Sequence, residues 1–155
     1  MLSIDGLASE AARVSAGIGE GCGAVTIFAG LVRAEHKGRK VHYLEYEAYE
    51  PLALKAFEQV AAEVREFWPD VSLGIHHRTG RLEIGEASIV IAAGSAHRAP
   101  SFEVCRYAIE RVKQFAPIWK HEYFDGGEAW VEGAVVDPSD AAARQQARAR
   151  ACASA

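Results

Sequence analysis

Residues 87–115 read ASIVIAAGSAHRAPSFEVCRYAIERVKQF, and the change of period inside this stretch decides the fold. Residues 87–94 carry no charge and are apolar or small, which predicts a buried strand. From Pro100 onward the apolar spacing becomes three and four: Phe102, Cys105, Ile109, Val112 and Ala116. That spacing predicts a helix over residues 100–115 with those side chains on its buried side. Between strand and helix lies Ser95-Ala96-His97-Arg98-Ala99-Pro100. A proline at the first helical position makes Ala99 the N-cap, and alanine has no side-chain oxygen to cap with. The orphan N–H groups there, with His97 and Arg98 beside them, make a candidate anion site. The alternative is a surface turn in which Arg98 pairs with a carboxylate.

Downstream, Lys113 falls in the last helical turn and Pro117 stops the helix. Lys120 lies early on the next expected strand, residues 118–124. A chain reversal at Pro117 brings both ammonium groups to one side, where they are candidates for a nucleophile or a proton carrier. Against this, a lysine at a helix C-terminus is favoured simply by the helix dipole. Residues 129–136 return as a further strand around Asp125-Gly126-Gly127-Glu128. Residues 138–155 are rich in Ala, Arg and Gln and read as a tail or frayed helix after a single domain spanning 1–137.

Upstream, residues 71–82 form an expected strand joined to 87–94 through Glu83-Ile84-Gly85-Glu86. A helix over 51–68 begins with Pro51 and stops before Pro69, with Phe57, Val60, Ala61, Val64 and Trp68 on its buried face. Residues 41–48 make another strand. Residues 33–40 are a polar loop holding Arg33, His36, Lys37, Arg39 and Lys40. Residues 24–32 form a buried strand in which Gly30 permits close backbone approach, and Arg33 emerges at the end, either as a fork for phosphate or carboxylate or, more commonly for such a position, as an exposed arginine. A short helix over 4–17 leads the chain. Two main helices interleaved with mostly antiparallel strands predict a single α+β domain.

Composition narrows the function classes. With 50% hydrophobic and 25% charged residues the 155-residue chain is globular rather than disordered. Its net charge of −4 argues against nucleic acid as a partner, and the basic 33–40 loop has no interleaved aromatics. No stretch is long and apolar enough to span a membrane, and no signal peptide is expected. Three scattered cysteines, Cys22, Cys105 and Cys152, suggest no disulfide framework and fit a reducing cytoplasm. There is no HExxH or Cys/His quartet, and His76 and His77 point to opposite faces of a strand, so no metal site is expected.

Six segments in order resemble the molybdopterin synthase large-subunit (MoaE) family. They are residues 28–33, residues 43–49, His77-Arg78-Thr79-Gly80, Ser95-Ala96-His97-Arg98, Lys113 with residues 116–120, and Trp130-Val131-Glu132. The resemblance implies an α/β-hammerhead fold of α+β type and a homodimer. It also implies a small ubiquitin-like partner whose thiocarboxylated Gly-Gly tail enters a pocket. Sulfur would pass to cyclic pyranopterin monophosphate (precursor Z) to make the dithiolene of molybdopterin, with no metal or organic cofactor. By position, Lys113 and Lys120 match the family's catalytic lysines. Arg33, His97 and Arg98 match substrate-binding residues, with Phe28 at the pocket wall, and Leu31, Val32, His121 and Glu122 adjoin them as expected pocket contacts. The family often carries a basic residue shortly after Trp-Val-Glu; here Gly133 and Ala134 stand there, and Arg39 or Lys40 are the candidate substitutes. A non-catalytic module that binds a ubiquitin-like tail is the competing reading. It would not need both lysines together with His97 and Arg98.

Overall fold

A computed structural model describes residues 21–131 and 136–153; the expected leading helix and residues 132–135 of the last strand lie outside them. Among the described residues eight strands and three helices follow in the order β1 (Ala24–Leu31), β2 (Glu35–His36), β3 (Arg39–Ala48), α1 (Glu50–Phe67), β4 (Ser72–His77), β5 (Gly80–Glu83), β6 (Ala87–Ser95), α2 (Arg98–Phe115), β7 (Ile118–Phe124), β8 (Gly127–Val131) and α3 (Ala141–Cys152). The α+β class stands, and every described strand pair is antiparallel.

The strands divide into two sheets. The first has the order β1-β6-β4, and its middle strand β6 is buried at every position, as the uncharged run 87–94 requires. The second runs β2-β3-β7-β8, with β5 on the other side of β3 from β7. The strand expected over 71–82 is therefore two strands in two sheets. The break comes at Arg78-Thr79 before Gly80, whose φ of +80° turns the chain where a side chain would be strained. Part of the expected loop 33–40 is a hairpin. Lys37 (φ +51°) and Gly38 (φ +74°) form its two-residue turn, with both central residues left-handed as tight hairpins prefer.

The main core lies between the first sheet and the helices. Ile89, Ile91 and Ala93 of β6 meet Val104, Cys105, Ala108 and Val112 of α2, and Val60 and Val64 of α1 close it. A smaller core of Val32, Val41, Leu44 and Leu82 sits under the second sheet. Helix α2 starts two residues before the expected position, with His97 rather than Ala99 as N-cap. Pro100 is tolerated there because N–H groups of a first turn have no intrahelical acceptor. Its buried side is Ser101, Val104, Cys105, Tyr107, Ala108, Arg111, Val112 and Phe115. The expected core residue Phe102 instead stands 60% exposed, because Ser101, bonded to Thr26 at 2.8 Å, occupies the sheet-facing position.

The segment expected as a tail or frayed helix holds a regular helix. Asp140 caps α3 by accepting from the N–H groups of Ala142 and Ala143, and Ala147 and Ala151 bury into the main core. Arg144 and Arg148 both lie 4.3 Å from the ring centre of Phe67. Below them a buried pair joins α1 to α2. Arg111 donates from Nε and Nη2 to the two oxygens of Glu63 at 2.8 Å each, and Tyr107 donates to Glu63 at 2.7 Å.

Candidate active site

A cleft of about 600 Å³ opens between the two sheets at the C-terminal end of α2. Its walls come from the end of β1 (Phe28, Gly30, Leu31), from β3 (Val41, Leu44, Tyr46) and from the last turns of α2 with Pro117 and Ile118. Arg33, Lys113 and Lys120 place three cationic side chains on it. Gly30 is needed for packing here: a Cβ at this position would lie 2.8 Å from Cγ2 of Ile89.

The strand period explains which side chains of β7 reach the cleft. In register with β3, Lys120 lies opposite Tyr46 and Glu122 opposite Leu44, all on the cleft side. His121 is one residue out of phase. It faces the other side of the sheet, stacked on Trp130 with ring centres 4.4 Å apart. Lys120 Nζ lies 2.7 Å from Oε1 of Glu122, and Nδ1 of His36 lies 2.8 Å from Oε2. Burial alone would raise the Glu122 carboxyl, but the hydrogen bonds from Lys120 and then His36 outweigh it and hold its pKa below the ordinary value. Glu122 is therefore an anion at neutral pH although only 5% exposed. Lys113 makes no ion pair among the described residues and stands exposed at the mouth. His77, also on the cleft, is held below the usual histidine pKa by burial. It is neutral at pH 7, and its Nδ1–H donates to the Arg78 carbonyl at 2.8 Å.

Of the expected site residues, Phe28, Leu31, Arg33, Lys113, Lys120 and Glu122 meet in this cleft. Val32 does not: it is 3% exposed, in the small core. His121 does not, for the reason of phase. His97 and Arg98 are exposed at the opposite end of α2 from Lys113. At 1.5 Å per residue that is about 22 Å along the helix axis, beyond one small substrate. His36, Tyr46, His77 and Ser88 line the cleft and were not singled out as site residues. The alternation of β3 puts Tyr46 in phase with Leu44 and was the available signal for it. His36 had none, since its partner Glu122 is 86 positions away.

Fold and site together define an α+β protein with a cationic, partly apolar cleft between two antiparallel sheets, suited to an extended or ring-shaped anion. The family profile described as "MoaE protein" matches residues 4–115, and the chain belongs to this family. The molybdopterin synthase catalytic subunit of Nostoc sp. (strain PCC 7120) is 50% identical over 111 residues, covering 70% of this chain and 67% of that one. That of Bacillus subtilis (strain 168) is 50% identical over 109 residues, covering 70% and 69%. The crystal structure of molybdopterin synthase from Staphylococcus aureus superposes with a TM-score of 0.74 at 43% identity, covering 77% of this chain and 87% of that one.

Proposed function

We propose that this chain is the catalytic subunit of a molybdopterin synthase. In this reading it moves sulfur from the thiocarboxylated tail of a small ubiquitin-like subunit to precursor Z in the cytoplasm. The observation that carries the reading is the convergence of Arg33, Lys113 and Lys120 on one cleft with apolar walls. Both the incoming tail and the pterin phosphate are anionic, and a cleft of low dielectric strengthens their attraction to fixed cations. Lys113 and Lys120 stand beside the reacting carbonyl, where charge develops during transfer. Phe28 and Leu31 wall the tail's path, and Glu122 orients Lys120.

The separation of His97 and Arg98 from the lysines fits a homodimer. One protomer cannot apply both ends of α2 to the same pterin, whereas a second copy can bring its own His97 and Arg98 to the first copy's cleft. Trp119, Trp130, Val25 and Ile27 are each close to half exposed, apolar surface of the kind that subunit contacts cover. A module that only holds a ubiquitin-like tail would not need Arg33, Lys113 and Lys120 on one cleft.

The deciding experiment incubates the purified chain with thiocarboxylated small subunit and precursor Z and follows formation of the dithiolene. Product dependent on all three components is expected. Tight binding of the small subunit with no product would leave the non-catalytic reading.

A further inference from the structure

We propose that His36 is a positioning residue for Lys120, acting through Glu122; the inference rests on the reading that Lys120 serves sulfur transfer. Lys120 and Glu122 are two apart on β7, so they share a face, but nothing in the strand fixes the carboxylate's rotation. The fixing contact comes from another element. The β2–β3 hairpin turns at Lys37-Gly38 and pairs His36 with Arg39 and Glu35 with Lys40. This alternation leaves Glu35 exposed and turns His36 toward the cleft. There Nδ1 meets Oε2 of Glu122 at 2.8 Å while Oε1 holds the Lys120 ammonium at 2.7 Å. An ionised carboxylate only accepts, so the His36 Nδ1 carries the hydrogen and donates it.

Each oxygen of a nearly buried carboxylate thus has one donor, and the two donors come from different strands. Removing the ring leaves Oε2 a buried acceptor without its partner, a costly state that the group relieves by rotating. Rotation carries the Lys120 ammonium with it. The neighbouring charges make that orientation matter. Arg33 and Lys113 line the same cleft and repel Lys120, while Glu122 holds it in place. The hairpin therefore sets where Lys120 points, although it lies far from Lys120 in sequence and was legible only as a basic loop.

The test uses the full chain with its small subunit and reads two independent quantities. The first is the single-turnover rate of sulfur transfer in wild type, His36→Ala, His36→Asn, Lys120→Ala and the double variant His36→Ala/Lys120→Ala. The second is the rate at which acetic anhydride acylates Lys120 in the free chain, followed by mass spectrometry with exposed Lys55 as internal reference. Losing one hydrogen bond to a charged group corresponds to about a tenfold fall in the transfer rate for His36→Ala. Binding of the small subunit and the melting temperature are expected to stay near wild type. His36→Asn presents an N–H where Nδ1 stood and is expected to recover most of the rate. In the Lys120→Ala background the His36 change is expected to add nothing. Acylation of Lys120 relative to Lys55 is expected to shift in His36→Ala and return in His36→Asn. Unchanged acylation, or a His36 effect that persists without Lys120, overturns the proposal. A wild-type chain that transfers no sulfur would sink the functional reading, and the acylation rates would still decide the positioning claim.

Discussion

Two lysines on one cleft are held differently, and their variants should differ accordingly. Lys120 is tied to Glu122 at 2.7 Å, whereas Lys113 projects from the last turn of α2 at the mouth. Lys113→Ala is expected to lower single-turnover sulfur transfer by about 100- to 1000-fold, the usual effect of removing a group that meets developing charge. Lys120→Ala is expected to be severe as well. Direct titration with the small subunit should show little loss of binding in either variant, since in the proposed reading docking uses a broad surface to which one lysine adds little. Lys113→Arg should also be poor, because a guanidinium keeps the charge but cannot give up a proton near neutral pH. Turnover near wild type in both alanine variants would remove the lysines from the chemistry. Arg98→Ala is expected to weaken pterin binding by about 1.5–3 kcal/mol, one charge-assisted hydrogen bond, with little change in melting temperature. A collapse of stability with unchanged pterin binding would make Arg98 a structural residue.

Helices and strands are joined by contacts that the sequence shows unequally. Glu63 and Arg111 are the clearest case: at 6% and 0% side-chain exposure they lock α1 to α2, and Arg111 also donates to the Pro138 carbonyl ahead of α3. Glu63→Ala leaves a buried guanidinium unpaired and is expected to cost about 3–5 kcal/mol in urea denaturation, whereas replacing both residues by Leu and Met should cost far less. Burial pushes the Glu63 carboxyl up, but the Arg111 and Tyr107 hydrogen bonds outweigh it, so its folded pKa is below 4.5. The sign follows: its contribution is complete above about pH 4.5, declines below that, and is gone once pH falls through the lowered folded value. Stability measured from pH 6 to 3 should therefore fall more steeply in wild type than in the double variant. Sequence periodicity exposed α1, the body of α2, the uncharged strand β6 and the lysines flanking Pro117, because each rests on local spacing. It missed Glu63 with Arg111, since an ion pair 48 positions apart has no local signature. Phe102 was misplaced because hydrophobicity alone chose it over Ser101, whereas the buried face of α2 from Val104 to Phe115, with Ser101 hydrogen-bonded to Thr26, turns Phe102 outward. Between a tail and a frayed helix the sequence could not choose for a related reason: small alanines make a weak apolar stripe, yet Ala147 at 0% exposure packs into the main core.

At the scale of the whole molecule, the two ends of α2 bear on how a complete site is assembled. Helix α2 carries Arg98 in its first turn and Lys113 in its last, about 22 Å apart along the axis. If the proposed homodimer joins these ends across its interface, each site uses Lys113 of one copy and Arg98 of the other. Mixed dimers then give a sharp expectation. Lys113→Ala and Arg98→Ala chains should each be strongly impaired alone. In a heterodimer of the two, one site has lost both groups and the other has lost neither. An equimolar mixture, unfolded and refolded together so that copies exchange, contains about half heterodimers and should recover about a quarter of wild-type sites. If the two residues serve the same copy, every site in the mixture carries one defect and no activity returns. The measurement is sulfur transfer per chain after mixing, with size-exclusion chromatography establishing that the refolded species is a dimer. A monomer at micromolar concentration, or a dimer without recovery, would overturn the site shared across the interface.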